Sequence, residues 1–316
     1  MPRLGYFAVL LLFIIGCSKN ETAQSNRISI PLTPYILVLG IAQDAGYPQM
    51  GCKKQCCNAV WKGEQSQRFA TSLALIDPTT NENWLFEATP DIKFQLQHLN
   101  RFSPEMKNLK GVFLTHAHIG HYTGLIHFGK EVMGAKNLPV YAMPRMADFL
   151  AQNGPWSQLV SEQNISIKPL QSDKMVALNS NCSVTPILVP HRDEYSETVG
   201  FKIAFGEKKA LFIPDIDKWS KWNRDFAQEI QKVDYAFIDA TFFGDGELPG
   251  RDMSQIPHPF VEESMALLKN LSSEERAKVH FIHLNHTNPL LNEKSPEYKK
   301  VLAAGFKVAL EGGVYI

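Results

Sequence analysis

The sequence predicts one α/β domain over residues 35–316. Short apolar runs that read as strands alternate with helical segments along this stretch, and no linker, internal repeat or low-complexity block divides it. Several of the strand runs stop at a residue of metal-ligand type, as expected of open sheets that gather ligands at their strand ends. Three of the ten histidines, His116, His118 and His121, fall within six positions directly after an apolar run at 111–114.

The first strand is expected at 35–40, ending on Gly40. Residues 41–63 hold glycines, a proline and Cys52, Cys56 and Cys57. They read as a long irregular loop, which a domain seldom tolerates without a clamp. Adjacent Cys56 and Cys57 are poorly placed to bridge one another, so a bound zinc is the expected clamp. Strand-like runs at 71–76 and 83–88 flank the turn Asp77-Pro78-Thr79-Thr80-Asn81, and Pro90 opens a helix to 99. After the histidine loop come a strand at 139–142 and a helix at 144–152. Strands follow at 165–169, 175–178 and 183–189, the last meeting Pro190-His191. A hairpin about Gly206 joins 199–205 to 209–213 and ends at Pro214-Asp215. A helix at 225–231 precedes a strand at 235–238 that stops at Asp239. The remaining elements are a helix at 260–268, a strand at 279–282 delivering His283, a helix at 296–303 and a last strand at 306–310.

The N-terminus reads differently. Arg3 precedes an apolar run at 6–15 that is too short to span a membrane as a mature helix and has the length of a signal-peptide core. Ile14-Ile15-Gly16-Cys17 resembles a bacterial lipobox, in which the cysteine is lipidated. The expectation is a signal peptide over 1–17, a polar tether over 18–34, and an exported lipoprotein anchored in the membrane through Cys17, facing the periplasm or cell exterior.

Hydrophobic residues make up 44% and charged residues 20%; Lys+Arg and Asp+Glu are both 32. That balance gives no global field to attract nucleic acid, and a small-molecule substrate is the expected partner. His116, His118, His121, His191, Asp215 and His283 all follow strand runs. Three neutral imidazoles leave zinc an open position, where a bound water falls towards a pKa of about 7. A carboxylate with two more imidazoles suits a second metal. Asp215 is preferred to Asp217 because it directly follows its strand.

The loop His116-x-His118-x-x-His121, followed in order by His191, Asp215 and His283, resembles the metallo-β-lactamase superfamily over about residues 35–316. The resemblance implies an αββα sandwich of two mixed sheets with helices on the outer faces. It places His116, His118 and His191 on a first metal, and His121, Asp215 and His283 on a second, with Asp215 reaching both. It departs at Gly120, where the family motif carries an aspartate, leaving the second site one carboxylate short. Asp239 is placed to orient a ligand histidine, with an ordinary strand-end aspartate as the alternative, and His258 to protonate a leaving group, with a surface or loop-packing role as the alternative. Arg192 is expected in a surface ion pair, with a substrate phosphate or carboxylate as its alternative partner. His98, His127 and His280 read as structural or surface residues, and Cys182 as a buried filler.

Three further segments, 39–49, 88–92 and 283–289, together with the cysteine cluster, resemble the pyrroloquinoline quinone biosynthesis protein B (PqqB) group. This implies a structural zinc on Cys52, Cys56, Cys57 and His286, although the C-x-x-x-C-C spacing departs from that group. The combined expectation is a hydrolase in which zinc-bound hydroxide attacks an ester, a phosphodiester first; the residues do not give the oligomeric state, and the resemblance leaves a homodimer open because relatives form dimers. Iron or manganese are the alternative metals. An iron-dependent oxygenase or redox enzyme of the PqqB type, or a non-catalytic metal-binding protein, are the alternative functions.

Overall fold

Strand β1 (Tyr35–Gly40) is buried at every residue: Tyr35, Leu37 and Leu39 pack towards helices on one face, and Ile36 and Val38 towards a second sheet on the other. Burial on both faces explains why it reads as an unbroken apolar run rather than an alternation. The computed structural model describes residues 30–105 and 108–316, together with Met1. The expected signal peptide, Cys17 and most of the tether therefore lie outside the described residues. Among the described residues, no helix is long and apolar enough to cross a membrane.

The first half continues through α1 (Gln55–Trp61), β2 (Ser72–Asp77), β3 (Glu82–Phe86), α2 (Ile92–Leu99), β4 (Leu109–Phe113), α3 (Ile119–Tyr122), β5 (Leu138–Ala142), α4 (Pro144–Gln152), α5 (Trp156–Ser161) and β6 (Ile165–Pro169). The second half comprises β7 (Val176–Ala177), β8 (Cys182–Leu188), β9 (Val199–Phe205), β10 (Lys208–Ile213), α6 (Phe226–Gln231), β11 (Tyr235–Asp239), α7 (Val261–Leu268), α8 (Ser273–Arg276), β12 (Val279–Ile282), α9 (Pro296–Ala303), β13 (Lys307–Val308) and β14 (Val314–Tyr315). They form two sheets, ordered β14-β1-β2-β3-β4-β5-β6 and β13-β12-β11-β10-β9-β8-β7. Each sheet is antiparallel in one half and parallel in the other, the change falling at β3 and at β10.

Aromatic rings join the sheets. Phe86 stacks on Phe113 at 5.2 Å and meets Phe201 edge-on at 5.5 Å, while Phe113 stacks on Tyr141 at 4.2 Å. Each fully buried phenylalanine contributes about 1.5–3 kcal/mol of transfer free energy. Leu99 from α2, Met146 and Leu150 from α4 and Leu159 from α5 cover the outer face of the first sheet; Phe226, Val261, Leu268 and Val301 cover that of the second.

Three local expectations differ from the structure. Residues 41–63 are not irregular throughout, because the Gly- and Pro-free stretch Gln55–Trp61 forms α1 and buries Cys57. The strand expected at 306–310 shrinks to two residues, and the chain turns at Gly312, φ +83°, so that β14 pairs with β1 through Ile36 and Tyr315. Finally, α5 and α8 are helices of six and four residues, too short to show a helical period.

Candidate metal centre

Seven strands deliver polar side chains to one rim of the sandwich: Asp44 follows β1, Glu87 β3, His116 β4, His191 β8, Asp215 β10 and His283 β12, and Asp239 ends β11. Backbone hydrogen bonds carry β4 past its formal end, from Leu114 N to Tyr141 O and from Val199 N to Thr115 O, both at 3.1 Å, so that His116 emerges between the sheets. His118 then caps the single turn α3, which brings His121 back to the same centre. Among the described residues, seven non-glycine residues have positive φ, and three of them stand here: Asp44 at +45°, Glu87 at +78° and His283 at +67°. Such conformations cost of order 1–3 kcal/mol each and cluster where function demands a particular geometry.

His116, His118, His191 and Asp215 form one group, each offering a ligand atom within 4.8 Å of the others. His116 Nε2 lies 2.8 Å from His118 Nδ1 and 3.3 Å from Asp215 Oδ2, and His191 Nε2 is 3.3 Å from Asp215 Oδ1. The other ring nitrogen of His116 pairs with Thr115 Oγ1 at 2.9 Å, which fixes the ring. Burial lowers the pKa of His116 and of His191, favouring the neutral imidazoles that metals require. Burial opposes ionisation of Asp215, but His191, His258 and His283 outweigh it and hold the carboxyl well below its ordinary range.

Asp44, His121 and His283 form a second group on the Oδ2 side of Asp215. His121 Nε2 lies 3.5 Å from Asp215 Oδ2 and 3.9 Å from Asp44 Oδ1; His283 Nε2 is 3.9 Å from Asp215 Oδ2. Behind the rings, Glu87 Oε1 faces His121 Nδ1 at 3.5 Å and Thr241 Oγ1 meets His283 Nδ1 at 3.0 Å. Glu87, Thr241 and Asp44 had no assigned role in the sequence reading. Their only signal was position just past a strand, shared with Asp215 and His283.

Both nitrogens of His121 and of His191, His283 Nε2 and Asp215 Oδ1 are buried without a hydrogen-bond partner. Orphaned buried donors and acceptors are costly. The Nε2 atoms of His121, His191 and His283 converge about the Asp215 carboxylate, and this set of imidazoles and one carboxylate fits bound divalent metal of zinc type.

Asp239 Oδ2 faces His258 Nδ1 at 2.8 Å rather than a ligand histidine; its Oδ1 accepts from Thr241 Oγ1 at 2.8 Å, and so it supports His283 one step removed. Asp217 is outside the centre, paired with Lys221 at 2.7 Å. His280 is buried against Tyr315 and bonds Lys278 O at 2.9 Å, and Cys182 is buried and free. Arg192 has no ion pair among the described residues and faces the cavity over the centre.

A separate group gathers Cys52, Cys56, Cys57 and His286 within 4.8 Å. Cys52 Sγ and Cys56 Sγ are 3.8 Å apart, and Cys56 Sγ and Cys57 Sγ 4.0 Å. Thiolates about 2.3 Å from a tetrahedral zinc lie about 3.8 Å from one another, so the spacing fits a structural zinc. Helix α1 supplies Cys56 and Cys57, and the turn before it, closed by Cys52 N on Gln49 O at 3.1 Å, supplies Cys52, which is how C-x-x-x-C-C spacing closes on one point.

The Beta-lactamase superfamily domain matches residues 75–283, a span that carries the candidate ligands from His116 to His283. The chain belongs to this superfamily. Within it the chain is PqqB-like. It is 28% identical to Coenzyme PQQ synthesis protein B of Xanthomonas axonopodis pv. citri, across 88% of this chain and 98% of the relative, and 26% identical to the protein of that name from Nitrosococcus oceani over the same shares. The structure of Zn(2+)-bound PqqB from Methylobacterium extorquens matches 89% of this chain and 99% of its own, with a TM-score of 0.76 and 23% identity. A diphosphatase from the PhnP family matches 89% and 96%, with a TM-score of 0.62 and 19% identity. The two mixed sheets with outer helices are thus the metallo-β-lactamase sandwich that the sequence predicts, and it is a metal-binding fold.

Proposed function

We propose that this superfamily member is a metal-dependent hydrolase of anionic esters, phosphodiesters above all. The observation that carries the reading is the charge of the space beside the centre. A cavity of about 380 Å³ over His118, Asp215 and His258 adjoins a second of about 370 Å³, with Gln43, Arg192 and His258 lining both. Lys54, Arg192 and Arg251 line the second, and no acidic residue does. Among the described residues, none of these three cations has an ion-pair partner, so they favour a substrate that brings its own negative charge. The similarity to a diphosphatase of the PhnP family supports the same class.

A zinc-type ion held by His116, His118 and His191 would supply a nucleophilic water at neutral pH and offset charge on the ester. The remaining work falls to the chain. Arg192 pairs with a non-bridging phosphate oxygen, and Asp215 accepts a hydrogen bond from the attacking water. Burial opposes protonation of His258, but Asp239 and Asp215 push its pKa up to about 9, so the ring carries a proton at neutral pH. With Nδ1 held by Asp239, Nε2 is the atom left to protonate the departing oxygen. The water oxygen forms the new P–O bond, the P–O bond to the leaving group breaks, and the proton released by water restores His258.

The test is a comparison of zinc-loaded protein on bis(p-nitrophenyl) phosphate and p-nitrophenyl acetate. Turnover of the diester, with Arg192→Ala raising its KM and leaving the acetate unaffected, supports the reading; turnover of the acetate alone overturns it. We also propose, on Ile14-Ile15-Gly16-Cys17, lipid attachment at Cys17. Cys17→Ser then moves the protein from the membrane to the soluble fraction, and an unchanged distribution contradicts it.

A further inference from the structure

We propose that Asp44, on the loop after β1, completes a second metal site with His121 and His283, taking the place of the carboxylate that Gly120 lacks. The inference rests on the hydrolase reading above and extends it to a binuclear centre of divalent, zinc-type cations.

A Cβ built on Gly120 would stand 2.5 Å from Asp44 Cα and 2.9 Å from Asp44 Oδ1. The volume a side chain at 120 would enter is therefore filled by Asp44, and by its backbone as much as its carboxylate. Gly120 reads as a consequence of the loop's position rather than a lost ligand.

The loop is also registered on the partner ligand. Gln43 N donates to Leu284 O at 2.9 Å and Leu284 N to Ile41 O at 2.8 Å, tying the residues beside Asp44 to the residue after His283. Asp44 is held in the left-handed region, a conformation aspartate and asparagine tolerate better than most residues. Its carboxylate, 3.9 Å from His121 Nε2, faces two ring nitrogens, His121 Nε2 and His283 Nε2, that are buried without hydrogen-bond partners. Two imidazoles and a carboxylate form a ligand set for zinc or manganese. Asp215 Oδ2 borders the same space, so one carboxylate separates the two sites.

The experiment is the zinc content of the full chain after saturation and desalting, for wild type, Asp44→Asn, Gly120→Asp and His191→Ala, with circular dichroism as the control for folding. Asparagine keeps the left-handed backbone and removes the charge. Wild type is expected to hold about three zinc ions per chain, one on the cysteines and two beside Asp215, and Asp44→Asn about one fewer. Gly120→Asp, although it restores the family motif, is expected to hold no more than wild type, because its Cβ meets backbone. Equal zinc content in wild type and Asp44→Asn overturns the proposal, even if turnover falls, as does a Gly120→Asp variant that gains an ion. Failure of the first site reads out separately: it is His191→Ala that would then retain the wild-type content.

Discussion

His258 Nδ1 lies 2.8 Å from Asp239 Oδ2 and 3.1 Å from Asp215 Oδ1, in a contact that is almost wholly buried. The two carboxylates differ in their surroundings. Asp239 is further engaged by Ile216 N at 3.0 Å and Thr241 N at 2.9 Å, whereas Asp215 Oδ1 has no hydrogen-bond partner. Asp239 thus acts as the fixed acceptor that orients the imidazole, and Asp215 faces His116, His121 and His191.

If His258 protonates the leaving group, His258→Gln should depend on what leaves. Turnover of a dialkyl phosphodiester is expected to fall by about 10²-fold or more. That of bis(p-nitrophenyl) phosphate should fall far less, since nitrophenolate departs without a proton. Equal losses on the two substrates contradict the role.

Glu87 is fully buried behind His121, and its carboxylate also accepts from Thr115 N at 3.4 Å. Removing its charge should loosen the ring it orients. Glu87→Gln is expected to weaken metal binding about 10–100-fold, measured by competition with a chelator. Unchanged affinity would show that the 3.5 Å contact with His121 does not set the ligand.

The cysteine group should behave as a structural clamp rather than part of the chemistry. Cys57 is buried in α1, and burial pushes its thiol up to about 12, an environment that favours a thiolate only when a cation shares it. Cys57→Ser is expected to lose about one zinc and lower Tm by more than about 5 °C. Activity per remaining active-centre metal should persist below the new Tm.

The sandwich and the six principal ligand candidates were legible because each sits where an apolar run stops, a signal that survives in one dimension. Asp239 was visible for the same reason, and His258 through its place just before a helix. Asp44 was not, since its role depends on the distance between residues 44 and 120, which no local pattern encodes. Glu87 was hidden inside the run expected as a strand at 83–88, and nothing local marks it as fully buried beside His121. Strand β14, two residues long, carries no period at all; only its partner β1 defines it.

One pH effect is separate from the metal centre. Glu311 Oε2 accepts from Phe69 N at 2.9 Å, and burial raises its pKa from 4.5 to about 7. A folded-state pKa above the unfolded one means the folded chain holds the proton more tightly. The stability this contributes is complete below about 4.5 and is lost as pH rises through about 7. Glu311→Gln keeps an acceptor for Phe69 N and cannot ionise. It should melt at least about 2 °C above wild type at pH 8 and match it near pH 4.5.

The most direct measurement is phosphodiester turnover alongside zinc content in wild type and in His116→Ala. Zinc-loaded wild type should hydrolyse bis(p-nitrophenyl) phosphate and lose that activity on chelation. His116→Ala should bind at least about one zinc fewer, keep its cysteine-bound zinc, and show turnover at the background rate. Wild-type turnover that survives both chelation and His116→Ala would contradict the account.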